Sequence, residues 1–287
     1  MGLKDILVLV DQTDESSHRF RLALDLASRH GSRVTAFYAW EWNEEQLSVR
    51  RTAEMGLVSA KALGNMISRE NAAADRAAER VRSTIDALGR QQSVEIEWRC
   101  VKGPASDLLP QHARYADLCI VGRGPVADNG PTDYSLSEKL LFVTGRPVLF
   151  IPAAEHFSSL GRHIAVAWNS SRAAARSFND SMPLLERAER STVITVNAAE
   201  SIVRHHALPV EHLIQNLERH GVSAELLHLE NVAASSIAED LQAAATKSGA
   251  DLMVAGAFGQ PRLWESLLGG VTRDILDRMT LPILMSF

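Results

Sequence analysis

The sequence repeats itself. Ile6-Leu7-Val8-Leu9-Val10-Asp11 and Ile164-Ala165-Val166-Ala167-Trp168-Asn169 are both short apolar runs that end in a small polar residue. Each precedes a helical pattern, Asp14 to His30 in one case and Ser171 to Arg190 in the other. Ala116-Asp117-Leu118-Cys119-Ile120-Val121-Gly122 is matched by Ala250-Asp251-Leu252-Met253-Val254-Ala255-Gly256. Arg146-Pro147-Val148-Leu149-Phe150-Ile151 is matched by Leu281-Pro282-Ile283-Leu284-Met285-Ser286. A repeat of this kind binds both halves to one architecture. A chain of 287 residues holds two domains of ordinary size.

The spacing of the matched residues locates the differences between the copies. Asp11 and Asn169 lie 158 residues apart, Val94 and Val222 128, Gly122 and Gly256 134, and Pro147 and Pro282 135. Half one therefore carries 30 extra residues between its first and third strands. Half two carries six extra around its third helix. The extra material of half one falls in Glu41 to Asn71, a polar stretch of helical character with Trp40 and Trp42 near its start. A lid, a partner surface and a packing helix all fit it.

Each half alternates strand and helix. The strands are expected near 5–10, 33–39, 94–100, 117–122 and 147–151, then near 163–168, 192–197, 222–229, 251–256 and 282–286. They are rich in Val, Ile and Leu instead of alternating with polar residues, the pattern of parallel strands buried on both faces. Helical patterns such as Ala72 to Leu88 and Val210 to His220 fill the gaps, and His30-Gly31 and His220-Gly221 read as helix stops. The fold class is α/β: two Rossmann-like domains, each a five-stranded parallel sheet flanked by helices. The domains are 1–153 and 162–287, joined by the linker Ala153 to Arg162.

Composition narrows the function. Hydrophobic residues at 46% and charged residues at 23% exclude wholesale disorder. A net charge of -5 with no Lys/Arg run argues against a nucleic-acid partner. The apolar runs are too short to span a bilayer, and the N-terminus lacks a signal-peptide pattern and has a poor myristoylation signal. Two cysteines, Cys100 and Cys119, have neither metal nor redox spacing, which suits a reduced, cytoplasmic location. Both are expected to be buried free thiols.

Ligands of open α/β sheets bind beyond the carboxyl ends of the strands, at the switch in strand order. After the fourth strand of half two come Gly256, two residues, Gly259, nine residues, Gly269 and Gly270, leading into a helix from Val271 to Met279. Glycines permit close backbone approach to a phosphate, and the helix N-terminus favours an anion.

This spacing resembles the G-2x-G-9x-G-(S/T) motif of the universal stress protein family, and nearly the whole chain is similar to a tandem member with one such domain per half. The likeness is carried jointly by the repeat, the Asp or Asn after strand one, the Ala-Asp-Leu before strand four, and Gly270-Val271-Thr272-Arg273. The resemblance implies a HUP-type strand order of 3-2-1-4-5, in which the strands bearing Cys100 and Cys119 are not adjacent. It also implies ATP or AMP at the strand ends, with Mg accompanying ATP, and pairing of the two domains through their fifth strands as an intrachain pseudo-dimer. A homodimer of the whole chain is compatible with it. The cofactor-binding positions it implies are Asn169, Val196, Gly256, Gly259, Gly269, Gly270 and Val271. Two of them depart from the family pattern. Asn169 stands where the ATP binders carry Asp, and Gly270 where they carry Ser or Thr. Each lost contact to a charged group is worth about 1.5–3 kcal/mol, so affinity is expected to be weakened about tenfold or more, with the Gly270 N–H still available.

Half one departs further. It keeps Asp11, Gly122 and Gly124, but Pro125 follows, Tyr134 and Ser135 stand opposite Gly269 and Gly270, and Asp128 and Asp133 would repel an anion. The ordinary site is expected to be lost there. The acidity is unequal too. Through Ala153 there are 19 basic and 20 acidic residues, leaving 11 and 15 for the rest, so an anion site in half two must rely on local groups.

The remaining constellations are weaker. His205, His206 and His212 lack the i, i+4 spacing of a helical metal pair and read as solvated, and His156 has no nearby partner. Trp40 and Trp42 could stack on a ligand or cover a core edge; Trp264 could cover the site or an interface. There is no Gly-x-x-x-x-Gly-Lys-Ser/Thr loop, no Gly-x-Ser-x-Gly elbow, no His-Glu-x-x-His and no assignable acid/base pair. The expected function is a non-catalytic adenine-nucleotide binding module of the stress response, acting through the C-terminal domain, with only slow ATP hydrolysis compatible. The alternative is a nucleotide-independent scaffold with both sites degenerate.

Overall fold

The computed structural model describes residues 2–40, 60–90, 92–123, 134–153, 157–197, 209–233, 235–257 and 270–287. Half one contains β1 (Asp5–Leu9), α1 (Asp14–His30), β2 (Arg33–Trp40), α2 (Ala60–Gly89), β3 (Ile96–Lys102), α3 (Ala105–Ala113), β4 (Leu118–Arg123), α4 (Tyr134–Val143) and β5 (Val148–Pro152). Half two contains β6 (His163–Ala167), α5 (Arg172–Leu185), β7 (Arg190–Val196), α6 (Glu211–Arg219), β8 (Ala224–Leu229), α7 (Ile237–Ser248), β9 (Leu252–Gly256), α8 (Gly270–Asp277) and β10 (Ile283–Ser286). Every strand expected from the repeat is present, with shifts of one or two residues at the ends.

The strands form one ten-stranded sheet in the order β3-β2-β1-β4-β5-β10-β9-β6-β7-β8. Each half has the order 3-2-1-4-5 and is parallel throughout. The two five-stranded sheets meet where β5 pairs antiparallel with β10, Phe150 opposite Ile283 and Val148 opposite Met285. These four side chains are fully buried. The antiparallel junction reverses the strand direction, so the carboxyl ends of the half-two strands lie at the same edge as the amino ends of the half-one strands.

Helices cover both faces. On one face α1, α2, α5 and α6 bury Phe20, Leu24, Ile85, Phe178 and Leu217 in a core that runs through both halves. On the other, α3, α4, α7 and α8 bury Leu109, Leu140, Leu241 and Ile275. Right-handed crossovers in a 3-2-1-4-5 order put the first two helices of each half on one face and the last two on the other, as observed.

Several sequence signals find a structural cause. Gly31, with φ 64°, closes α1 in the left-handed region, where a glycine is least strained. The repeated Ala-Asp-Leu is a clasp between strand starts. A carboxylate oxygen of Asp117 accepts from the N–H groups of Lys4 (2.8 Å) and Asp5 (3.0 Å). Asp251 does the same for Arg162 (3.0 Å) and His163 (3.1 Å). The shared Asp thus ties the start of the fourth strand to the start of the first in each copy.

Two expectations need adjustment and one alternative is resolved. The helix expected from Ala72 begins at Ala60, so residues 60–71 of the extra segment extend α2, and residues 41–59 lie outside the described residues. Trp40 sits at the core edge with the Lys102 ammonium 4.8 Å from its ring centroid, while Trp42 lies outside the described residues. Cys100 is exposed rather than buried, because β3 is the outermost strand and has a neighbour on one side only. Cys119 is buried as expected, and burial pushes its thiol up to about 12. Both cysteines are free.

The linker packs rather than hangs. Leu160 is buried, Arg29 donates to its carbonyl, and the Phe157 N–H donates to His18 Nε2 at 3.0 Å. Nearby, His30 is buried at the end of α1. Burial first, then the guanidinium groups of Arg187 and Arg29, lowers its pKa from 6.5 to about 4. Between those values the unfolded chain binds the proton and the folded chain does not, so stability is complete above the upper value and is lost as pH falls towards the lower one. The shift corresponds to about 3 kcal/mol. In urea titrations across this window, His30→Leu is expected to lose less stability on acidification than the parent. Equal slopes would remove His30 from the acid response.

Candidate functional site

The site is built from the carboxyl ends of the half-two strands. The sheet order sets β7, β6, β9 and β10 side by side, so Val196, Asn169 and Gly256 come together in a row. Val196 and Val271 are half-buried and pack against the α7/α8 core, and Gly270 begins α8. Gly259 and Gly269 lie outside the described residues, as do Trp264, His156, His205 and His206. His212 is exposed on α6. Among the described residues no cluster of His, Cys, Asp or Glu could hold a metal ion.

Each of these positions has a local reason. Asn169 is exposed, and its Oδ1 accepts from the Ser171 N–H at 3.1 Å. Ser171 in turn caps α5, its Oγ accepting from the Ala174 N–H at 3.1 Å. Beyond Val196, Asn197 turns the chain with φ 47°, its Nδ2 donating to the Val232 carbonyl (2.8 Å) and its Oδ1 accepting from the Val232 N–H (3.1 Å). Gly256 lies directly under α5. A Cβ at this position would meet Ala174 N at 2.4 Å and Ala173 C at 2.6 Å, both backbone atoms. Helix packing alone therefore demands glycine at 256. Ser177, one turn on, donates from its Oγ to the Ala255 carbonyl at 2.8 Å and accepts from the Ser286 N–H at 3.0 Å.

Half one is filled at the matching place. Arg19 occupies the position of Ser177, 158 residues earlier, and its side chain is 5% exposed. Its Nε donates to the Leu9 carbonyl (2.9 Å), and an amino group pairs with Asp11 (3.1 Å). A Cβ on Gly122 would lie 2.1 Å from another of its nitrogens. The guanidinium thus lies across the ends of β1 and β4 and holds the Asp11 carboxylate, which also accepts from the Thr13 N–H at 2.8 Å. The half-one crevice expected to have lost its site carries a buried cation of the protein's own between Asp11 and Gly122.

Sequence reasoning did not find Arg19, Ser177 or Arg123. The signal for Arg19 is a charge set within the buried arc Ser16, Arg19, Phe20, Ala23, Ala27 of an otherwise amphipathic helix. A depression of about 340 Å³ lies at the amino ends of β1 and β2, lined by Lys4, Ser28, Gly31, Ser32, Arg33, Glu95 and neighbours. Arg33 there is held by Asp5 (2.7 Å) and Glu97 (3.5 Å), and none of the residues placed at the strand ends above lines the depression.

The solved structures agree with this architecture. A universal stress protein from Archaeoglobus fulgidus superposes with a TM-score of 0.70 at 12% identity, over 98% of this chain and 97% of that one. The chain has the fold of the universal stress proteins. A functionally unknown protein from Pseudomonas aeruginosa PAO1 superposes with a TM-score of 0.58 at 16% identity, over 99% of this chain and 92% of that one. No family model and no curated protein matches the sequence. The strand order is as the resemblance implied. No helix among the described residues is long and apolar enough to cross a membrane.

Proposed function

We propose that the chain is a tandem universal stress protein with domains 1–153 and 162–287, binding an adenine nucleotide, ATP or AMP, through the second. The observation that carries this reading is the contrast between the two crevices. In the first, the Arg19 guanidinium lies between Asp11 and Gly122; in the second the equivalent residue is the buried, uncharged Ser177, α5 itself covers Gly256, and Val196 and Asn169 stand beside it. The family-like spacing Gly256, Gly259, Gly269 supplies main-chain donors for phosphate, and Mg would accompany ATP. The sequence carries no assignable acid/base signature, and on that basis the reading is a cytoplasmic sensor or binding module, not a turnover enzyme. The β5–β10 pairing acts as the covalent counterpart of a homodimer contact.

The test is calorimetry with ATP and AMP on the full chain. Binding with a dissociation constant below about a millimolar is expected, equivalent to about 4 kcal/mol. No heat and no thermal shift at millimolar ligand would sink the reading. A second reading, a nucleotide-independent scaffold, has its own support. Gly256 is accounted for by α5 packing and Asn169 by the turn into α5, with no ligand required. Mass spectrometry of nucleotides released from freshly purified protein separates the two.

A further inference from the structure

An anion site in the more acidic half of the chain calls for a local cation, and the tertiary structure supplies one. Arg172 opens α5 and is exposed. The two residues after it are those pressed on Gly256. Ser286 pairs with Gly256 in the sheet, and its carbonyl accepts from the Ala257 N–H at 2.9 Å, so Phe287 emerges beside the start of the glycine loop. The Arg172 guanidinium carbon lies 5.6 Å from the centroid of the Phe287 ring. Phe287 also meets Phe142 edge to face, with centroids 4.9 Å apart and an interplanar angle of 71°. Phe142 belongs to α4 of half one and reaches this edge because the junction of the halves is antiparallel. A ring from each half therefore braces the place where the cation stands.

The lateral order of the strands says what the cation could touch. Val196 on β7, Asn169 after β6, Gly256 on β9 and Phe287 after β10 follow one another along the sheet edge. Three strand spacings separate the first from the last, roughly 14 Å. On the nucleotide reading above, with the base at Val196 and the ribose at Asn169, the first phosphate would fall beside Gly256. Any further phosphates extend towards β10, where Arg172 stands. A monophosphate stops short of it.

We propose that Arg172, held over Phe287, contacts the outer phosphates and makes this site select a nucleoside triphosphate over the monophosphate. This rests on the nucleotide reading above. The experiment is calorimetric titration of ATP and AMP, with magnesium, into the full-length parent, Arg172→Gln and Arg172→Lys. The parent should prefer ATP. Arg172→Gln should weaken ATP about tenfold and leave AMP within about twofold, and Arg172→Lys should recover part of the loss. Three results overturn the proposal: no ATP preference in the parent, an unchanged ATP affinity in Arg172→Gln, or an equal loss for both ligands, which would mark a structural role. A parent that binds neither ligand refutes the nucleotide reading itself and takes the proposal with it.

Discussion

Gly256→Ala is expected to destabilise the chain by about 3 kcal/mol or more, the upper range for overpacking. The new methyl would meet Ala174 N at 2.4 Å, Ala173 C at 2.6 Å and Ala174 Cα at 2.9 Å. These are main-chain atoms of a helix whose start is fixed by the Ser171 cap and by Ser177 on the Ala255 carbonyl. No rotamer can relieve them, so α5 must lift from β9 and β10 as a body. Gly122→Ala is the control. Its methyl would meet a nitrogen of Arg19 at 2.1 Å, the far end of a long side chain. That side chain can swing out to water at the cost of its contacts with Asp11 and Leu9, about 1.5–3 kcal/mol. Urea midpoints for the two variants check the ordering. An equal or smaller loss at 256 would mean that α5 does not sit where it is described.

Arg123→Met is expected to cost about 3 kcal/mol, through the junction of the halves. The Arg123 side chain is 3% exposed and lies after Gly122 at the end of β4. It donates to the Leu276 carbonyl at 3.2 Å, to Ser137 Oγ at 3.1 Å and to Asp277 at 2.9 Å, so it joins α4 of half one to the last turn of α8 in half two. Removing one member of a buried pair leaves the other uncompensated, worth about 3–5 kcal/mol when both are fully buried. Asp277 is 24% exposed and keeps Arg273 at 3.7 Å, which puts the expectation at the low end. A cycle with Asp277→Asn isolates the pair. A coupling indistinguishable from zero would show that the helix C-terminus, not the carboxylate, is what Arg123 serves.

Both predictions concern residues whose roles were only partly legible. Gly256 stood out by its spacing, and that spacing pointed to phosphate. The close approach of α5 is a second, sufficient reason for the glycine, invisible without the helix in place. Arg123 carried no signal, since its partners lie 153 and 154 residues away. Arg19 was legible in principle as a charge in a buried arc, but what it fills depends on strands β1 and β4 being neighbours.

By itself the sequence determined the α/β class, the five strands of each half and the inequality of the two copies. These follow from local causes: runs of Val, Ile and Leu, glycines at helix ends, and recurrence of the same pattern about 158 and 134 residues later. The joining of ten strands into one sheet, the exposure of Cys100, the filling of the first crevice by Arg19 and the placing of Phe142 beside Arg172 and Phe287 were decided only by the tertiary structure. Each depends on which groups meet across distances that the local pattern does not encode. The antiparallel pairing of β5 with β10 accounts for the first and the last of these, because it turns the two halves end for end and brings Phe142 of one to the strand ends of the other.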